Sequence, residues 1–187
     1  MDIFEELNLH RYINAQDTFT KYGASCMRAA SLRAMREIAS SCVDLAEVQE
    51  KTGDALAKLT HNEGAYISNG AASGIMIATA AALACDDERI YDALPEITGP
   101  RSEVIMFAGQ RNPYDRGCAA VGAKVRYVGT ETCAPTVQEL EDAMTPATAA
   151  VVYFIFFGRE YSPPLETVIE LAHKHHIPVF VDAAAQN

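Results

Sequence analysis

The feature that most constrains the fold is an alternation of short apolar segments with helical ones after residue 65. Five segments have the apolar, β-branched or aromatic composition of buried strands: residues 65–67, 104–107, 124–128, 149–156 and 178–181. Between them, apolar residues recur every three or four positions, which predicts helices. Strands that are apolar throughout are covered on both faces, so the pattern predicts a three-layer α/β/α domain with a mostly parallel sheet.

The first third of the chain has a different pattern. Residues 1–25 carry little periodicity and predict an extended arm. From Arg28 to about Leu59, apolar residues lie on one helical face: Leu32, Met35, Ile38, Cys42, Leu45 and Val48. We therefore expect an arm with a helical segment over residues 1–60 and the α/β part over 61–187. The helical ridge is either core or a contact between subunits.

Charge and cysteine usage restrict the class of protein. The chain has 25 acidic and 15 basic residues, a net charge of −10, which disfavours nucleic acid as a partner. Its five cysteines include no CxxC pair, so neither a zinc site nor a disulfide framework is indicated. No signal-peptide pattern begins the sequence, and its apolar runs are too short to span a bilayer. We expect a cytoplasmic protein without a membrane segment.

A run of small residues follows the first predicted strand: Gly70, Ala71, Ala72, Ser73 and Gly74. It joins that strand to the start of a helix, where free N–H groups and the helix dipole favour an anion. The same residues would equally suit a tight turn with a helix N-cap. The run therefore predicts either a phosphate site or a turn.

Two further polar segments follow predicted strands. Asp182 comes directly after the last apolar strand, at the edge of the sheet where ligands bind in parallel α/β folds. Its carboxylate could ligate a metal, orient a histidine or pair with a cationic ring nitrogen; the alternative is a helix N-cap. The segment 109–116 contains Arg111, which suits a carboxylate or phosphate. An exposed turn is the alternative for this segment.

Metal and hydrolase chemistry have weaker support. His173 and His176 are three residues apart near the end of a predicted helix, but no third ligand accompanies them. We therefore expect no metal site. No serine or cysteine lies in a nucleophile-elbow motif, so the sequence does not indicate a hydrolase.

Together, these segments resemble the pyridoxal-phosphate enzymes of fold type I, in the branch that includes bacterial selenocysteine synthase and D-glucosaminate-6-phosphate ammonia-lyase. Four segments carry the resemblance: 12–15 (YINA), 71–74 (AASG), 111–115 (RNPYD) and 181–186 (VDAAAQ). The resemblance extends over almost the whole chain. It implies the large domain of such an enzyme, with pyridoxal 5'-phosphate as the cofactor.

The resemblance also implies roles for individual residues around that cofactor. The turn of Gly70, Ala71, Ala72, Ser73 and Gly74 would hold its phosphate. Asp182 would pair with the protonated pyridine nitrogen, so that the ring can act as an electron sink. Ala184 would pack against one ring face, and Gln186 would bond near the phenolic oxygen.

Three other residues would face the ring or the substrate. Gln110 stands where relatives often carry a histidine that stacks on the ring. Arg111 would place an acidic group of the substrate. Asn14, on the arm, would bind substrate near a neighbouring subunit's site. The resemblance thus implies a small amino substrate and a homodimer or larger homo-oligomer.

In this family the lysine that forms a Schiff base with the cofactor comes after the aspartate. All five lysines of the chain precede Asp182: Lys21, Lys51, Lys58, Lys124 and Lys174. We therefore expect the N-terminal part of a lyase or transferase acting on an amino acid or amino sugar acid, with ammonia elimination favoured. The rest of the sheet and a small C-terminal domain would follow Asn187. The alternatives are a non-catalytic remnant or partner-binding fragment, and a selenocysteine synthase-like transferase.

Overall fold

The chain divides into two compact units, Met1–Ile67 and Ser68–Asn187. The structure, a computed structural model, describes residues 2–15, 20–23, 25–155 and 158–184. Within these ranges, no helix is both long enough and apolar enough to cross a membrane.

The described part of the first unit contains helices joined by irregular segments. It contains α1 (Ile3–Glu6), a short 3-10 helix (Thr20–Tyr22), α2 (Ala29–Ala39) and α3 (Leu45–Thr60). The side chain of Asp44 begins α3 by accepting a hydrogen bond from the Ala46 N–H at 2.8 Å. The helix ends at Thr60, and the next residue, His61, has a left-handed backbone with φ of 57°. The apolar pattern that begins at Arg28 is therefore two helices in succession.

The prediction of a strand at residues 65–67 is wrong, because this segment contacts helix α3 and pairs with no strand in the described part of the chain. The Gln49 Nε2 donates to the Ile67 carbonyl at 3.0 Å. The Ala65 carbonyl lies so close to Gly53 that a Cβ there would overlap it. Tyr66 is 66% exposed, unlike a residue of a buried strand.

The second unit contains a four-stranded sheet within the residues described. Its strands are β1 (Glu103–Phe107), β2 (Lys124–Val128), β3 (Thr148–Phe154) and β4 (Val179–Asp182). They lie in the order β2-β1-β3-β4, and every pairing is parallel. The helices of this unit are α4 (Ala71–Ala84), α5 (Glu88–Ala93), α6 (Arg116–Ala120), α7 (Val137–Ala143) and α8 (Leu165–Lys174). The predicted parallel α/β architecture is confirmed.

Alternate residues of the two central strands enter separate cores. The core under α7 and α8 includes Ile105, Phe107, Leu140, Val151, Tyr153 and Val168. The core under α4 and α6 includes Ile75, Leu83, Val104, Met106, Cys118, Val152 and Phe154. Because side chains alternate between the two faces of a strand, this division produces three layers with helices on both faces of the sheet.

Candidate active site at the carboxyl edge of the sheet

The carboxyl ends of the four strands lie at one edge because all pairings are parallel. The connection from β1 to β2 passes through α6 on one face, whereas α7 and α8 cover the other face. The winding of the chain therefore reverses between β1 and β3. In open α/β sheets, ligands bind at the carboxyl edge near such a reversal.

Helix α4 begins at this same edge. The Ala72 carbonyl oxygen, in the first turn of α4, lies 3.5 Å from the position of a Cβ on Gly117. Gly117 is in the first turn of α6, which leaves the carboxyl edge after β1. At the other end of α4, Cys85 lines a cavity with Arg101, which comes just before β1. Helix α4 thus runs antiparallel to β1, and its N-terminus is at the carboxyl edge.

The small-residue run forms the start of α4. Gly70 has φ of 146° and ψ of 167°, a conformation essentially confined to glycine. The Gly74 N–H donates to the Gly70 carbonyl at 3.0 Å and closes the first turn. The N–H groups of Ala71, Ala72 and Ser73 precede that bond, so the helix supplies no acceptor for them. No side chain caps the helix at Gly70, and Ala71 and Ala72 are exposed.

The hydroxyl groups around this turn are held by its own backbone. Ser68 and Ser73 each donate from Oγ to the Gly70 carbonyl at 3.0 Å. Ser73 Oγ also contacts Asn69 Oδ1. The turn is therefore fixed internally, and the helix N–H groups point away from these bonds along the helix axis.

Asp182 is the last residue of β4, opposite Phe154 of β3. One carboxylate oxygen, Oδ1, accepts a hydrogen bond from the Ala184 N–H at 2.9 Å. This bond closes a local turn, and among the described residues the second carboxylate oxygen, Oδ2, has no hydrogen bond. Asp182 is partly buried and Ala184 is exposed. Because β4 is parallel to β1, Asp182 and the start of α4 share one edge, and α4 packs against β4.

Gln110 is not brought together with these exposed residues. It is only 1% exposed, and its Oε1 accepts a hydrogen bond from the Phe154 N–H at 3.0 Å. Its carbonyl accepts a bond from Asn112 Nδ2 at 2.9 Å. The side chain joins the carboxyl ends of β1 and β3 inside the unit, rather than presenting an amide face for stacking.

Two glycines bring the connections after β1 and β3 into direct contact. A Cβ on Gly158, which has φ of 56°, would overlap the Gly109 carbonyl oxygen. A Cβ on Gly109 would lie 2.5 Å from the Cβ of Tyr161. The sequence offered no signal for this contact, since the two glycines are distant in the chain.

Arg111 belongs to a three-residue cluster at the same edge. Its Nε lies 3.6 Å from Asp115 Oδ2, and its guanidinium carbon lies 4.8 Å from the centre of the Tyr127 ring. The Tyr127 hydroxyl donates to Asp115 Oδ2 at 3.0 Å. Burial and the hydrogen bond to Asp115 raise the pKa of Tyr127. The sequence indicated Arg111 as a candidate site residue, but it did not indicate Asp115 and Tyr127 as its partners.

The remaining predicted residues lie elsewhere or outside the described ranges. Asn14 is in the first unit, where it lines a small pocket with Tyr12, Ile13, Ala15 and Tyr22. Gln186 lies outside the described residues. Among the described residues, no three His, Cys, Asp or Glu side chains are grouped to hold a metal ion.

The sequence model of the DegT/DnrJ/EryC1/StrS aminotransferase family matches residues 33–186. The chain belongs to this family. It is 30% identical to the D-glucosaminate-6-phosphate ammonia lyase of Salmonella typhimurium over 191 residues, which cover 99% of this chain and 52% of that protein. It is 28% identical to a 5'-C-glycyluridine monooxygenase-decarboxylase of a Streptomyces species over 193 residues, covering 98% of this chain and 48% of that protein.

Solved structures agree with this membership. The structure of a D-glucosaminate-6-phosphate ammonia-lyase superimposes with a TM-score of 0.91 at 30% identity, covering 100% of this chain and 52% of that one. An aspartate aminotransferase of Thermotoga maritima superimposes with a TM-score of 0.54 at 17% identity, which shows the shared fold. The chain spans about half the length of the curated relatives it matches.

The cofactor of the DegT/DnrJ/EryC1/StrS family is pyridoxal 5'-phosphate, and the exposed edge residues fit it. The open N-terminus of α4 suits a phosphate because its first N–H groups are unused by the helix. The carboxylate of Asp182 suits a protonated ring nitrogen. The small, exposed side chain of Ala184 leaves room for a flat ring. The side chain of Gln110 is buried, and its position beside the ring stays a prediction.

Proposed function

We propose that this chain provides the N-terminal part of a pyridoxal-phosphate-dependent lyase that eliminates ammonia from an amino acid or amino sugar acid. The observation that carries the proposal is the shared position of Asp182 and the open N-terminus of α4 at one sheet edge. The 30% identity with D-glucosaminate-6-phosphate ammonia lyase along nearly the whole chain supports the choice of reaction. D-glucosaminate 6-phosphate is therefore the first substrate to test.

Each edge residue has a distinct task in this proposal. The bound cofactor supplies an electron sink for the bonds that break next to the amino group. The N–H groups of Ala71, Ala72 and Ser73 hold the phosphate. Asp182 keeps the ring nitrogen protonated, because a nearby negative charge favours the charged form of that nitrogen. Arg111 binds an acidic group of the substrate.

The remaining proposed contacts come from the resemblance alone. Ala184 packs against one face of the ring, and Gln186 bonds near its phenolic oxygen. Asn14 binds substrate from the arm. These three assignments rest on the matching sequence segments 12–15 and 181–186.

The lysine that carries the cofactor is, in this proposal, encoded after residue 187. Two lysines of the second unit lie at the edge opposite Asp182. Lys124 is the first residue of β2, and Lys174 is the last residue of α8, just before β4 begins. Neither lysine therefore has its amine beside Asp182, the proposed partner of the ring nitrogen. A reading frame without a lysine after Asp182 would favour the alternative of a non-catalytic remnant.

The test uses the protein expressed from its whole reading frame and measures ammonia release from D-glucosaminate 6-phosphate. We expect Asp182→Ala and Asp182→Asn each to lower kcat by about 100-fold or more, because neither side chain carries the negative charge. Both variants should still retain cofactor through its phosphate, as judged by absorbance after dialysis.

Asp86→Asn is the matched control for the Asp182 variants. Asp86 is an exposed carboxylate that follows α4 at the amino edge. Its replacement should leave kcat unchanged. Full activity of Asp182→Asn would refute the pairing with the ring nitrogen. Oxygen-dependent release of carbon dioxide without ammonia would instead favour chemistry like that named for the glycyluridine relative.

We also propose a homodimer or larger homo-oligomer in the cytoplasm. Leu32, Met35 and Ile38 form an apolar row on α2 and are each about half exposed. Burial of such a row against another subunit would remove it from water. The cytoplasmic location is supported by the cysteines, all five of which are free.

A further inference from the structure

The guanidinium of Arg111 is held on two sides by residues from different elements. Tyr127, at the carboxyl end of β2, places its ring face 4.8 Å from the guanidinium carbon. Asp115, only 7% exposed, faces the Nε atom at 3.6 Å. The Tyr127 hydroxyl bonds to the same Asp115 oxygen at 3.0 Å, so the two supports are tied to each other.

This arrangement leaves the far end of the guanidinium open. The contact with Asp115 uses Nε, and the Arg111 side chain remains 57% exposed. The two terminal nitrogens can therefore donate to a ligand in their fixed fork geometry. An anion with two oxygens in one plane matches this fork, as a carboxylate or phosphate does.

An arginine without these two contacts would lose more conformational entropy on binding the same anion. A long side chain loses rotamer freedom when it is fixed, and this cost weakens binding. A guanidinium already stacked on a ring and paired with a carboxylate has lost that freedom beforehand. Asp115 also offsets part of the positive charge, so its presence is better explained by orientation than by attraction of an anion.

We propose that Asp115 and Tyr127 are positioning residues that orient Arg111 to bind an oxyanion group of the substrate. The inference rests on the proposed function, because it concerns the substrate of the same edge. It extends that function by identifying two residues that set substrate affinity without touching the substrate.

The first test measures binding of three non-reacting probes to the cofactor-loaded protein by calorimetry. Gluconate 6-phosphate carries a carboxylate and a phosphate, gluconate only the carboxylate, and glucose 6-phosphate only the phosphate. We expect Arg111→Met to weaken gluconate 6-phosphate by about tenfold or more. The single-group probe that shares this loss identifies the oxyanion that Arg111 binds. Arg116→Met, which removes an exposed charge at the same edge, should have a smaller effect.

The second test separates positioning from a general structural role. Tyr127→Leu and Asp115→Asn should each raise Kd by about threefold to tenfold, through loss of the ring contact or the ionic contact. Tyr127→Phe retains the ring and should be milder. In the Arg111→Met background, both substitutions should change Kd by less than about twofold, because their only route to the ligand is gone.

Each result decides the inference. The inference is supported if the effects of Tyr127→Leu and Asp115→Asn on Kd disappear in the Arg111→Met background. Effects that persist without Arg111, tighter binding by Asp115→Asn, or failure of the wild type to bind every probe would overturn it. Ammonia release is assayed on the same preparations. If ammonia is released but the binding predictions fail, only this inference is refuted. If no ammonia is released, the proposed function is refuted, and the binding measurements still decide the role of Asp115 and Tyr127.

Discussion

At the scale of single residues, Gly158 is a position where substitution should be strongly destabilising. We expect Gly158→Ala to lower the free energy of unfolding by more than about 2 kcal/mol, because the new Cβ meets the Gly109 carbonyl in a left-handed backbone. Urea unfolding of the protein from its whole reading frame measures the change.

Gly64→Ala is the control for this substitution, because a Cβ there would have no atom within 4 Å. It should change the free energy of unfolding by less than about 0.5 kcal/mol. Equal stability of the two variants would show that the connections after β1 and β3 separate freely.

Single residues also mark the limit of what the sequence could predict about the site. Asp182 and Arg111 were identifiable because each follows an apolar strand, and strand ends are visible in the sequence. Tyr127 was counted as part of a strand, since its contact with Arg111 depends on the pairing of β1 with β2. The hydrogen bond from the Phe154 N–H to Gln110 could not be predicted, because the two residues are far apart in the sequence.

At the scale of elements, α7 begins with a capping box. Thr136 Oγ1 accepts from the Glu139 N–H at 3.2 Å, and Glu139 Oε2 accepts from the Thr136 N–H at 2.8 Å. We expect Thr136→Ala to destabilise the protein by about 1 kcal/mol and Thr136→Ser to have little effect, because serine keeps the hydroxyl. Thermal and urea unfolding report the difference.

The same capping box predicts a pH dependence. The hydrogen bond from the Thr136 N–H lowers the pKa of Glu139 in the folded protein. A carboxylate with a lowered pKa stabilises the fold above its unfolded pKa, and this contribution is lost as pH falls through the folded pKa. Glu139→Gln should therefore destabilise the protein near neutral pH and have no effect once Glu139 is protonated.

Elements were predicted best where their pattern was long. The apolar runs of β1, β3 and β4 were predictable because a buried strand needs apolar residues on both faces, whereas β2 contains Lys124 and Arg126 and is largely exposed. Residues 65–67 have the same composition but pair with no described strand. Instead, the Ile67 carbonyl accepts a hydrogen bond from the Gln49 side chain. Composition over so short a segment cannot distinguish a strand from a connection.

At the scale of the whole molecule, the apolar row on α2 leads to a prediction about assembly. Light scattering of the protein from its whole reading frame should give the mass of a dimer or larger species. Met35→Lys should shift the mass toward the monomer, because a charge in a desolvated contact is unfavourable. Glu37→Lys, on the same helix, is the control. A stable wild-type monomer would contradict the proposed assembly.

The strand order β2-β1-β3-β4 sets a sequence of events for folding. Each described pairing joins strands separated by at least one helix, so each requires closure of a long loop before any ladder bond forms. The helices of the first unit need only contacts within a few residues of one another. They should therefore form during synthesis, before β3 has been made. The sheet can be completed only afterwards, because β3 pairs with both β1 and β4.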